Sequence, residues 1–142
     1  MLTRRHFLAL APFALVAAAA DPGSVTAAGR RSRAARRPGD HPTPRPGIDG
    51  SKVRKAADLA DHPDMIPLFD GVREIPQVVD GIRCYCGCDE RPDSYSLLSC
   101  YEDGMATHCL VCQGEGRLVA RLHGEGKTLE EIRAAIDLEF GY

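Results

Sequence analysis

Six cysteines dominate the chemistry this chain can offer: Cys84, Cys86, Cys88, Cys100, Cys109 and Cys112. Cys84-Tyr85-Cys86-Gly87-Cys88 sets three thiols at alternate positions. In extended chain alternate side chains share a face, so these sulfurs can converge. Gly87 also allows the backbone to turn sharply, which predicts a Cys-x-Cys-x-Cys knuckle. Cys109-Leu110-Val111-Cys112 has the spacing of a metal hairpin or a redox pair. On a helix its two thiols share a face, and His108, four residues before Cys112, joins them. Soft thiolates suit Cu(I), Zn(II) or an iron–sulfur cluster. A tetrahedral site needs four ligands, and Cys86, Cys88, Cys109 and Cys112 are the quartet that spacing favours. Cys84 and Cys100 then become extra ligands or a disulfide.

Two other readings stay open. An even number of cysteines in an exported protein also fits three structural disulfides, each joining one of the first three cysteines to one of the last three. That describes a disulfide-stapled extracytoplasmic interaction module. The third reading is a thiol–disulfide oxidoreductase, which needs one low-pKa thiol. Cys112 is followed by Gln113 rather than His, which excludes a c-type haem attachment site. No nucleophile elbow, phosphate loop or zinc-protease motif occurs, so no catalytic residue is predicted. His6, His41 and His62 read as incidental, and Glu102, Asp103 and Glu115 as solvated.

The elements that must position these thiols fit a mainly α fold: a small cysteine-rich helical domain over residues 51–142 with an extended N-terminal arm. Ser51 to Ala60 can form a short helix capped by Ser51. Asp64 to Arg83 reads as extended chain and turns, because Pro67 and Pro76 interrupt it. Asp93 or Ser94 can cap a helix through Glu102, placing Leu97, Cys100 and Tyr101 on one side. A further helix is expected from about Thr107 to His123, weakened by Gly114 and Gly116 at roughly 1 kcal/mol each. Thr128-Leu129-Glu130-Glu131 is a capping box that opens a last helix with Leu129, Ile132, Ile136 and Phe140 inward.

Residues 1–20 read as a signal peptide. Arg4-Arg5-His6-Phe7-Leu8 precedes an alanine-rich apolar run ending at Ala20, which resembles a twin-arginine signal. The run is too short for a comfortable membrane span, so none is expected to remain after cleavage. The predicted location is periplasmic or otherwise extracytoplasmic. Twin-arginine export carries folded proteins, so a thiol site can be loaded with metal in the reducing cytoplasm. Residues 21–50 are rich in Arg, Pro, Gly and Ala and are expected to be a disordered linker. The folded part is acidic: from Ile48 to Tyr142 ten basic residues face eighteen acidic ones. That argues against nucleic acid as a partner, leaving a metal ion and an extracytoplasmic protein.

The run Arg83-Cys84-Tyr85-Cys86-Gly87-Cys88, with Ser96-Leu97-Leu98-Ser99-Cys100-Tyr101, His108 to Cys112 and the Gly126 to Asp137 ending, resembles bacterial proteins defined by a Pro-Cys-Tyr-Cys-Gly-Cys motif. The match covers about the last sixty residues. Arg83 stands where the motif has Pro, and His108 abuts Cys109 instead of preceding it by several residues. The resemblance implies an exported or surface-tethered bacterial protein of uncharacterised function whose cysteines act as a set. It implies neither a reaction nor a metal.

Overall fold

A computed structural model describes residues 39–141, and among them there is no strand. The described residues form five α-helices: α1 (Ile66–Glu74), α2 (Pro76–Asp80), α3 (Leu97–Glu102), α4 (Leu110–Gly124) and α5 (Leu129–Phe140). Single 3-10 turns occur at Ala56–Leu59, Pro63–Met65, Cys88–Glu90 and Met105–Thr107. The mainly α expectation holds. The signal segment and most of the arm lie outside the described residues.

The stretch from Asp64 to Arg83 is helical, which corrects the extended chain expected there. Pro67 and Pro76 each sit in the first turn of a helix. A missing N–H costs nothing at that position and the fixed φ suits the helix, so these prolines start α1 and α2. Ser51 caps no helix. Its amide and hydroxyl both bond to Asp49 Oδ1, and the first helical turn waits until Ala56. The capping box at Thr128 forms as expected, with the Thr128 N–H donating to Glu131 Oε2 and Glu131 N–H to Thr128 Oγ1. Ile132 and Ile136 bury their side chains, while Leu129 and Phe140 flank them.

α3 is the centre of the core. Leu97, Leu98, Ser99, Cys100 and Tyr101 are all buried, so the helix is enclosed on every side. Tyr101 meets Phe69 of α1 edge to face, ring centroids 4.8 Å apart. Its hydroxyl donates to the Cys112 carbonyl at 2.7 Å. Gly116 is what lets the ring reach α4: a Cβ there would lie 1.9 Å from the Tyr101 oxygen. The glycine that weakens α4 in isolation is therefore required by its packing. α4 in turn packs against α1, α2, α3 and α5.

Residues 39–50 pack on the helices, so the linker expected to reach Gly50 ends earlier. Asp80, completely buried at the end of α2, organises this segment. It accepts from the Arg45 guanidinium at 2.6 Å, the Arg45 N–H at 2.8 Å and the Ser96 hydroxyl at 2.7 Å. Arg45 also lies over the Tyr95 ring, 4.9 Å from its centroid. Burial pushes the Asp80 carboxyl up, but the bonds from Arg45 and Ser96 outweigh it and hold the group below its ordinary value.

His41 belongs to the same segment, and its side chain is 2% exposed. Nδ1 accepts the Arg83 N–H at 3.0 Å, so the proton sits on Nε2 and donates to Asp137 at 3.0 Å. A histidine expected to be incidental thus joins the arm, the start of the knuckle and α5. Composition hid this, because a few anchoring side chains suffice to fix a stretch that is otherwise rich in Arg and Pro.

Candidate metal centre

The six thiols arrive from three places. The knuckle supplies Cys84, Cys86 and Cys88. Gly87 takes a left-handed conformation, φ 95°, and reverses the chain between Cys86 and the 3-10 turn that begins at Cys88. α3 supplies Cys100 from the heart of the core. The start of α4 supplies Cys109 as its N-cap and Cys112 in its first turn, and the Cys109 sulfur accepts the Cys112 N–H at 3.4 Å.

The sulfurs of Cys84, Cys86, Cys88 and Cys100 all lie within 4.8 Å of one another, as do those of Cys86, Cys109 and Cys112. A tetrahedral ion with metal–sulfur bonds of about 2.3 Å sets its ligand sulfurs roughly 3.8 Å apart, so such a cluster can hold a metal ion. Cys86 belongs to both groups. Cys112 approaches the first group as well, at 3.6 Å from Cys84 and 3.5 Å from Cys86. The quartet that spacing favoured, Cys86, Cys88, Cys109 and Cys112, is therefore not the one brought together. Cys84 and Cys100, set aside as extra ligands or a disulfide, complete the four-sulfur group. The tight reversal at Gly87 folds the knuckle onto α3, and linear spacing holds no information about that distance.

All six cysteines are free thiols. Cys88 and Cys100 stand closest, at 2.8 Å, well beyond a bond of about 2.05 Å. Proton sharing divides the set. Hydrogen bonds from Cys100 first, then Cys112 and Cys84, draw Cys86 far below an ordinary thiol. The same donors draw Cys88 down to about 3. Cys112 is pushed up, through Cys100 first and then Cys86 and Cys88. Cys84 and Cys100 are also pushed up. Cys100 pulls Cys84 down and Cys112 pulls Cys100 down, but the remaining cysteines and burial prevail. Cysteine binds metal as the thiolate, so the sulfurs that are protonated in the metal-free centre must lose protons to bind.

His108 does not join either group among the described residues. α4 begins only at Leu110, so His108 follows the Met105–Thr107 turn instead of lying one helical turn before Cys112. It is exposed, and its ring stands edge to face with His62, centroids 4.6 Å apart.

Glu115 is the residue the sequence reading missed. Expected in solvent, it is completely buried beneath the knuckle. Its Oε1 accepts the Tyr85 N–H at 2.7 Å, while Oε2 has no hydrogen-bond partner. Burial pushes its carboxyl up to about 8, against the pull of the Tyr85 amide and the Cys84 thiol. The signal was present: Glu115 follows Cys112 by three and precedes Val119 by four, which places all three on one helical face. Asp137 braces the same knuckle, accepting from the Tyr85 hydroxyl as well as from His41. Burial first, and then Asp137, raise the Tyr85 phenol.

No helix among the described residues is long and apolar enough to cross a membrane. Compared with known proteins, the chain matches no family model, no curated protein and no solved structure.

Proposed function

We propose that this chain is an exported metal-thiolate binding protein that handles or buffers Cu(I) or Zn(II) outside the cytoplasm. The observation that carries the reading is the convergence of Cys84, Cys86, Cys88 and Cys100, unbonded to one another, within 4.8 Å. Soft, polarisable donors in a mostly buried pocket select soft cations over Mg²⁺ or Ca²⁺, which prefer oxygen. Export rests on the signal-like start, and the resemblance to the Pro-Cys-Tyr-Cys-Gly-Cys proteins is in keeping with it.

The test is elemental analysis with thiol titration on the mature protein, produced with its export route intact. The reading expects bound copper or zinc and thiols that become titratable only after the metal is removed. The 2.8 Å approach of Cys88 to Cys100 favours a second reading, the disulfide-stapled interaction module. Metal-free protein with no titratable thiol would decide for that one.

A further inference from the structure

The two sulfur groups differ in access, and they share one member. In the four-sulfur group Cys84, Cys88 and Cys100 are buried and Cys86 is half-buried. In the three-sulfur group only Cys112 is buried, while Cys86 and Cys109 are half-buried. No histidine, carboxylate or further cysteine completes the three-sulfur group among the described residues. A metal held there keeps an open side for an incoming ligand, as exchangeable and catalytic sites do and closed structural sites do not.

We infer that the protein holds two soft d¹⁰ cations with the Cys86 thiolate bridging them. One is retained by Cys84, Cys86, Cys88 and Cys100, and the other is exchangeable at Cys86, Cys109 and Cys112. This inference rests on the metal-thiolate reading and adds a division of labour to it. The exchangeable ion is delivered and removed as a thiolate complex. An incoming thiolate forms a bond to the metal as the bond to Cys109 breaks, and no electron is transferred. If the incoming group is a thiol, its proton passes to the released Cys109 sulfur. Cys86 and Cys112, both near Cys84, bring the ion up to the buried group without releasing it to water.

Anaerobic loading with Cu(I), followed by competition with a Cu(I) chelator, tests this. Wild-type protein is expected to lose copper in a fast phase and a slow phase. Cys109→Ser should lose the fast phase and keep the slow one. Serine is a favoured N-cap, so this substitution preserves the start of α4. Cys100→Ser should lose the slow phase, and Cys86→Ser should diminish both. Helical circular dichroism of each metal-free variant verifies that it is folded, and Cys88→Ser replaces Cys100→Ser if that variant is not. Copper leaving wild-type protein in a single phase overturns the inference while metal binding itself stands. So does a Cys109→Ser protein that keeps both phases. A wild-type chain that takes up neither copper nor, in a parallel loading, zinc overturns the inference together with the proposed function.

Discussion

Two buried polar centres lie in this small domain, and they are built on opposite terms. Around Asp80 the charge is fully answered: a guanidinium, a main-chain N–H and a hydroxyl converge on one carboxylate. Around the cysteines it is not. The sulfurs of Cys86 and Cys88 meet other cysteine sulfurs, and one oxygen of Glu115 has no hydrogen-bond partner. Buried polar groups are ordinarily satisfied, and the exceptions call for an explanation. The first centre is complete within the chain and holds the arm in place. The second groups sulfurs that could hold a metal ion, and that difference separates a structural device from a candidate site.

The comparison can be broken in several ways. The largest effect should come from metal. Free Cu(I) or Zn(II) at about a thousand times its dissociation constant is expected to stabilise the fold by about 4 kcal/mol. Thermal unfolding with and without a chelator measures this, and metal binding should also release protons into weakly buffered solution. Asp80→Ala is next. Arg45 is 35% exposed and stays solvated without Asp80, while the buried Ser96 hydroxyl loses its acceptor, so the cost is about 1–3 kcal/mol, readable in denaturant melts. The metal content of the folded fraction should be unchanged, and a parallel loss of metal would merge the two centres into one.

Gly116→Ala sets two effects against each other. Replacing a mid-helix glycine ordinarily adds up to about 1 kcal/mol. Here the new methyl meets the Tyr101 oxygen, and overpacking of that kind costs about 1–3 kcal/mol. The account expects net destabilisation in the same melts.

The smallest effect is on pH. Burial first lowers the affinity of His41 for a proton, although Asp137 opposes it. A folded-state value below the unfolded one of about 6.5 gives stability that is present above that pH and lost as pH falls through the folded value. Asp80, also held low, adds a similar loss below about pH 4. Glu115, held high at about 8, gains stability over the same range, so His41 is read as a difference: in denaturant melts the stability of wild type relative to His41→Gln should shrink as pH falls below about 6.5.

What is legible in the sequence depends on the range of each interaction. α5 was legible because the Thr128–Glu131 capping box and its apolar spacing are local. α1 and α2 are not legible in the same way, because a proline that excludes a central strand equally opens the first turn of a helix. The thiols were legible as a set. Their grouping was not, because Cys100 reaches the knuckle only through the reversal at Gly87 and the burial of α3. Glu115, His41 and Asp80 were the hardest to find. Each is a polar residue fixed by partners far along the chain, and spacing carries no record of those contacts.

Native mass spectrometry of the purified protein tests the central claim most directly, because one ion reports metal and thiol state together. The account predicts folded protein carrying copper or zinc, with a polypeptide mass showing all six cysteines free of disulfides. A metal-free ion whose polypeptide lacks the six thiol protons would contradict it.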